Sequence, residues 1–377
     1  MLVEKRELDT PGAIARLARE FGVDRREFGR AGLKDARAET TQWLSVRGVD
    51  PDRARGLELD RVRVLLAEPH GAKLRPGALR GNRFRLRLRP APGFHLIQEA
   101  GPRATRAFEQ LVATGLLNRF GAQRLGPRDR TALAGLAILQ GNAKIALERL
   151  LGSPLDTDND RVRAAREAAQ GRGAATAEGG AASLDLWPSS HGAERRLAAR
   201  LSKGERPDRV LRALPRERAK LHVHAAQSLL FEKLVDRRAG SPARLKVGDV
   251  VRRVQGRGTY RVESLDQEAG SSERFEIVPM LPLFGRKLFP AADEARRQEL
   301  DVLRSFGLAE DTFAERKERG DRRALRVAVG MPMAPRELID HGGQLLELRF
   351  DLPAGSYATT LLEQWGQLAG RLTEPAR

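Results

Sequence analysis

The sequence predicts a mixed α+β fold without a βαβ repeat, on three observations. Apolar residues recur at helical spacing in several separate runs, and other runs alternate apolar and polar residues as strands do. Helices and strands do not take turns regularly along the chain. At 377 residues, the chain fits two domains, or one domain with a large insertion.

Taken in order, Thr10-Pro11 starts the first helix, a capping hydroxyl followed by proline where its missing N–H costs nothing. Ile14, Leu17, Ala18 and Phe21 line one side, and Gly22 ends the run. Residues 41–47 read as a strand. Residues 73–89 carry seven basic residues and no acidic one. Their second half alternates, so Phe84, Leu86 and Leu88 face a core while Arg83, Arg85, Arg87 and Arg89 face outward. Such a row is a solvated face or a phosphate contact; the mutual repulsion of like charges favours phosphates.

Helices are predicted over about 102–113, stopped by Gly115, and over about 131–150. Residues 152–187, rich in Gly, Ala, Ser and Asp, read as a flexible connection or insertion. Asp156, Asp158 and Asp160 resemble the start of a calcium loop, but the later glycine and glutamate are missing, so no metal site is expected. An amphipathic helix is predicted over about 216–238, with Leu221, Ala225, Ser228, Leu229 and Leu234 at helical spacing. His222 and His224, two apart, do not share a face and read as ordinary polar positions. Residues 246–290 read as short strands and turns. Leu346, Leu348, Phe350 and Leu352 alternate as a strand, and a last helix starts near Tyr357.

Composition narrows the chemistry. Hydrophobic residues make up 41%, enough for real cores. The net charge is +18, from 68 Lys and Arg against 50 Asp and Glu. That balance suits a polyanionic partner through counterion release, although arginine-rich codon usage would also produce it. With no cysteine, thiol nucleophiles, disulfides and thiolate metal sites are excluded. No apolar run is long enough to span a membrane, and a cytoplasmic protein is the expectation. Nucleotide-loop, zinc-protease and nucleophile-elbow motifs are all missing.

The segment Gly32-Leu33-Lys34-Asp35, leading to Thr40-Thr41-Gln42-Trp43, is the richest in chemistry. An aspartate in such a turn is usually a turn former. A nucleophilic carboxylate is the alternative; it must stay ionised, and the adjacent lysine favours that. The run from Asn118 to Gly126 packs amide, guanidinium and aromatic groups between two glycines. Phe120 either anchors the loop in a core or stacks on a base whose edge Asn118 and Gln123 read. The sets Arg216, Arg218, Lys220 and Arg319, Arg322, Arg323, Arg326 are either phosphate contacts or solvated ends.

Seven segments resemble the TruD family of tRNA pseudouridine synthases, in family order and across nearly the whole chain. They are GLKDARAETTQWLSV at 32–46, KLRPGALRGNRFRLRLR at 73–89, NRFGAQRLG at 118–126, HAAQSLLF at 224–231, PLFG at 282–285, GDRR at 320–323 and GSYATTLL at 355–362. The resemblance implies a pseudouridine-synthase catalytic core, a mixed and mainly antiparallel sheet with flanking helices, interrupted by a large α+β insertion domain. The catalytic domain is placed at 1–150 and 326–377, with the insertion at 151–325. It further implies isomerisation of a tRNA uridine, at position 13, with no cofactor or metal, by a monomer. Asp35 then corresponds to the catalytic aspartate, acting on a uridine flipped out of the RNA. Lys34, Gln42, Asn118, Phe120, Gln123 and Arg124 bind substrate, and Arg80, Arg83, Arg85 and Arg87 meet the RNA backbone. A non-catalytic RNA-binding or RNA-chaperone protein is the alternative. The chain departs from the family pattern at Glu39, Arg119, Leu125 and Glu232. Met1-Leu2-Val3-Glu4-Lys5 is read as starting inside an Asp-Phe-x-Val-x-Glu run, so a shortened first strand and a missing upstream lysine are expected.

Overall fold

A computed structural model describes residues 1–256, 258–268, 270–313 and 318–375, the side chains of 122, 123 and 375 apart. It divides into two compact units, one of Met1–Arg83 with Pro353–Gly355 and one of Phe84–Leu352 with Ser356–Arg377. The fold is mixed α/β, with antiparallel sheets and flanking helices.

In the first unit the strands β1 (Leu2–Arg6), β2 (Gly29–Arg30), β3 (Glu39–Ser45), β4 (Glu58–Leu59) and β5 (Val62–Leu66) form one sheet in the order β2-β3-β1-β5-β4. The first strand is therefore central, paired antiparallel with β3 through Leu2↔Trp43 to Arg6↔Glu39 and with β5 on its other side. Helix α1 (Thr10–Phe21) covers the sheet, burying Ile14, Leu17 and Phe21 against Val3, Leu44, Val62 and Val64. A short helix α2 (Pro51–Ala54) adds Ala54. The cap of α1 is Asp9, whose Oδ1 accepts from the Gly12 N–H at 2.7 Å, and not the expected Thr10. The hydroxyl of Thr10 is thereby free for other partners. Gly22 closes the helix in the left-handed conformation, φ 69°.

The second unit opens with β6 (Gly81–Leu88), whose residues from Phe84 onward belong to it, then β7 (Phe94–Leu96), α3 (Ala100–Thr114) and β8 (Leu116–Leu117). A one-turn helix α4 (Ala122–Leu125) precedes α5 (Arg130–Leu139) and α6 (Ala143–Leu151). The single helix expected over 131–150 is thus two. Gly141 turns the chain at φ 71°, and Asn142 Oδ1 caps the second helix by accepting from the Ile145 N–H.

The flexible connection expected over 152–187 is instead folded into α7 (Asp160–Gly171) and α8 (Ala177–Ser183). Small residues serve packing here. Ala165, Ala169, Ala174 and Ala175 are buried around Trp187, together with α9 (Gly192–Leu201) and α10 (Pro207–Leu211). A Cβ on Gly180 would lie 2.7 Å from the Ala198 carbonyl, so α8 and α9 touch backbone to backbone. Asp156 pairs with Arg128 and Asp158 with Arg166. No group of three or more His, Asp or Glu that could hold a metal ion occurs among the described residues.

Helix α11 (Arg216–Arg238) matches its predicted bounds and forms the spine of the unit. Gly135 of α5 lets the two helices meet closely, since a Cβ there would stand 1.8 Å from the His222 carbonyl. His222 is buried with Nδ1 at 3.1 Å from the Thr131 carbonyl, whereas Leu221, expected on the apolar face, is 51% exposed. Strands β9 (Val250–Arg253), β10 (Thr259–Arg261), β11 (Ile277–Leu283) and β12 (Asp321–Ala324) form a sheet in the order β10-β9-β11-β12. Helix α12 (Asp293–Ser305) shares the main core with α11 and β11 through Val302, Leu303, Val235 and Leu281. The short β13 (Arg326–Val327) pairs with β8.

Strands β14 (Gly330–Asp340) and β15 (Gly343–Pro353) form a hairpin that continues to β6, in the order β14-β15-β6. Leu346, Leu348, Phe350 and Leu352 are all buried, against α3 and the last helix α13 (Ala358–Ala369). A final strand β16 (Thr373–Pro375) pairs with β7. No helix among the described residues is long and apolar enough to cross a membrane.

The β6 arginines have partners inside the protein. Arg85 and Arg87 donate through Nε to the same Glu347 oxygen, at 2.8 and 3.1 Å, and Arg349 Nε donates to the other at 2.8 Å. Arg89 pairs with Asp340. Burial opposes ionisation of Glu347, but hydrogen bonds from Arg85, Arg349 and Arg87 outweigh it and hold its carboxyl down at about 2. A folded-state value below the ordinary 4.5 means that the carboxylate stabilises the fold fully above that pH and loses this effect as pH falls toward 2. Acid unfolding followed by circular dichroism should therefore be shallower between those limits in Glu347→Gln, which starts less stable at neutral pH.

Candidate active site

The candidate residues fall into two sets, one in each unit. In the first, the stretch between β2 and β3 has no regular structure of its own and is held from outside. Thr10, the first residue of α1, is 1% exposed. Its hydroxyl accepts from the Lys34 N–H at 3.0 Å and donates to Gln42 Oε1 at 2.7 Å. Lys5 of β1 is also 1% exposed and donates from Nζ to the Asp35 carbonyl at 2.7 Å. Lys34 Nζ reaches Asn82 Oδ1 at 2.5 Å, and the Gly77 N–H donates to the Ala31 carbonyl. The structure thus brings Lys34, Asp35 and Gln42 together, with the Asp35 side chain exposed.

Two lysines accompany that carboxylate. Burial lowers the pKa of each, and the Asp35 charge works against that shift in both. An exposed carboxylate on a pinned backbone, beside two partly desolvated ammonium groups, is suited to attack or to proton transfer. Arg80 and Arg83 are exposed, and the Arg80 carbonyl accepts from the Ala354 N–H.

In the second unit, Asn118, Phe120 and Arg124 come together after β8. Asn118 is buried, and its Nδ2 donates to the Ala324 carbonyl at 3.2 Å. Its Oδ1 accepts from Arg323 Nη2 at 2.6 Å and from the Ser356 hydroxyl at 3.1 Å. Arg323 also donates from Nε to the Asn118 carbonyl, at 2.9 Å. Its guanidinium lies over the Phe120 ring, 4.1 Å from the centroid. Phe120 is 7% exposed and meets Phe231 edge to face at 5.4 Å, so its ring belongs to the main core. Burial pushes the Arg323 pKa down to about 10. Arg124 Nε donates to the Ser228 hydroxyl at 3.3 Å. The Gln123 side chain lies outside the described residues.

Two departures from the family pattern meet here. Glu232 Oε2 accepts from Arg119 Nη1 at 2.8 Å, and its Oε1 accepts from the Phe120 N–H at 2.7 Å. Arg119 also pairs with Asp236 at 2.8 Å. The carboxylate at 232 therefore suits the arginine at 119.

The set from 319 to 326 corrects an expectation. Arg322 and Arg326 are buried and not solvated ends, Arg323 is partly buried over Phe120, and only Arg319 is exposed among the four. Arg322 pairs with buried Glu299, and Arg326, 2% exposed, donates to the Thr114 and Ser272 carbonyls with its guanidinium 4.0 Å from the Phe275 centroid. Arg218, by contrast, is half-exposed and reaches Glu194. Sequence reasoning missed Lys5, Thr10, Glu232, Arg323 and Ser356 as supports. The alternation of β1, which puts Lys5 on the face of Val3, was a usable signal for the first.

A family model described as tRNA pseudouridine synthase D (TruD) matches residues 1–365. A tRNA pseudouridine synthase D of Geobacter sulfurreducens is 37% identical over 371 residues, covering 96% of this chain and 86% of the relative. One of Anaeromyxobacter sp. is 33% identical over 376 residues, covering 99% and 86%. Among solved structures, a crystal structure from Methanosarcina mazei assigned as tRNA pseudouridine synthase D (TruD) superposes with a TM-score of 0.80 at 26% identity, covering 97% of this chain and 87% of that one.

Proposed function

The chain belongs to the TruD family of tRNA pseudouridine synthases, and we propose that it converts uridine 13 of tRNA to pseudouridine with Asp35 as the catalytic carboxylate. The uridine is flipped out of the RNA to reach it. Asp35 starts cleavage of the bond between N1 and C1′, the freed uracil turns, and C5 bonds to C1′. C5 then gives up its proton and N1 takes one up, so no atom is gained or lost and no cofactor or metal is required. The observation that carries this reading is the exposed carboxylate on a backbone held at both Lys34 and Asp35. Lys34, Gln42, Asn118, Phe120, Gln123 and Arg124 are the proposed substrate-binding residues. The insertion is proposed at 151–325, between catalytic parts at 1–150 and 326–377, in a cytoplasmic monomer.

The test is tritium release from tRNA carrying uridine labelled at C5, with Asp35→Ala as the control. Equal failure of both proteins with retained tRNA binding would favour a non-catalytic RNA-binding module. The proposed backbone contacts of Arg80, Arg83, Arg85 and Arg87 have a separate readout. Although Arg85 and Arg87 meet Glu347, their side chains remain 53% and 51% exposed. Neutral replacement of both should weaken tRNA binding and reduce the slope of log K against log salt by up to about 2. An unchanged slope would leave these arginines with only the Glu347 contact.

A further inference from the structure

Lys5 occupies a position where an apolar residue would ordinarily stand. It shares the buried face of β1 with Val3, in register with Val62 of β5, above the apolar side of α1. Taking an ammonium out of water costs several kcal/mol in general terms, about what a buried ion must recover from its partners. Its Nζ is spent on the carbonyl of Asp35, 30 residues away in the chain. Thr10 is equally buried, and its hydroxyl is spent on the N–H of Lys34 and on Gln42. The two contacts grip consecutive residues of one irregular turn, one on an N–H and the other on a C=O.

We infer that Lys5 and Thr10 are positioning residues, which clamp the Lys34–Asp35 backbone from both sides and so fix where the Asp35 carboxylate stands. The inference rests on the proposal that Asp35 is catalytic. Neither residue touches substrate in this reading; each acts through the turn. A carboxylate that is free to wander loses the near-attack geometry, and displacement by about 1 Å can cost on the order of a hundredfold. A purely structural Lys5 would show the opposite balance, with stability lost and kcat kept on replacement; for a positioning Lys5, an apolar replacement at this core strand position removes a desolvation cost and leaves the fold intact.

The experiment measures single-turnover and steady-state pseudouridine formation on tRNA, with thermal unfolding, for Lys5→Met, Thr10→Val, Thr10→Ser and Asp35→Ala. Lys5→Met should unfold no earlier than wild type, yet lose roughly 10- to 100-fold in kcat with KM changed less than about twofold. Thr10→Val should lose kcat similarly, and Thr10→Ser, which keeps the hydroxyl, should restore most of it. Full kcat in both Lys5→Met and Thr10→Val, beside an inactive Asp35→Ala, overturns the clamp alone. Activity surviving in Asp35→Ala overturns the reading beneath it as well. If Lys5→Met does not fold, the contrast between Thr10→Val and Thr10→Ser decides.

Discussion

Asp35→Ala should abolish pseudouridine formation while leaving the protein folded and bound to tRNA. The expected loss in turnover is roughly a thousandfold or more, about 4 kcal/mol of transition-state stabilisation. Asp35→Asn should lose as much, because the amide keeps the shape but supplies neither a nucleophile nor a base. The side chain is exposed, so the thermal midpoint should hardly move; surface changes away from special features stay within about 0.5 kcal/mol. Affinity for tRNA should stay within a few-fold, since removing one anion from a chain of net charge +18 does not weaken its attraction to phosphate. The decisive pattern is kcat lost with binding kept. Tritium release by Asp35→Ala at even a tenth of the wild-type rate would remove Asp35 from the chemistry.

The local character of most elements was legible in the sequence, because it depends on near neighbours. The alternation from Leu346 to Leu352 and the span of α11 follow from side-chain period alone. What stayed hidden depended on the partner. The Gly- and Ala-rich stretch after residue 152 looks like a linker until Ala165, Ala169 and Trp187 find one another, since small residues mark loose chain and close packing equally. The row of charge on β6 is legible in the sequence, but its Glu347 partner is not, because that residue lies about 260 positions further on. The turn at Asp35 reads as a candidate from its residue types, but the residues that hydrogen-bond its backbone, Lys5 and Thr10, read only as a strand residue and a cap. Phe120 has two readings in the sequence, a ring that stacks on a base or an anchor in the core. Its ring lies in the core under Arg323, which is the blander of the two readings weighed for it.

The arginine doublet at 322 and 323 leads to the second large effect. Adjacent residues of a strand point to opposite faces, so two like side chains next to one another in β12 meet different surroundings. Arg323 faces the Asn118–Phe120 loop, while Arg322 faces α12. There Arg322 Nη2 donates to Glu299 Oε2 at 3.2 Å, Nη1 donates to the other oxygen, and Nε donates to the Phe289 carbonyl at 2.8 Å. Both side chains of the pair are at most 5% exposed. Removing one member leaves an uncompensated buried charge, so Glu299→Ala should cost about 3–5 kcal/mol of stability, read as a lower urea midpoint at unchanged slope. Replacing both members together, as Glu299→Leu with Arg322→Met, should recover most of that loss, because an apolar pair of similar volume carries no desolvation penalty. Arg323→Met should behave otherwise. It takes the cation from the face of Phe120 and a donor from Asn118, so its effect should appear in turnover on tRNA as well as in the midpoint. If the Glu299 single variant were as stable as wild type, or the double variant no better than the single, the pair would not be the anchor of α12 that its geometry indicates.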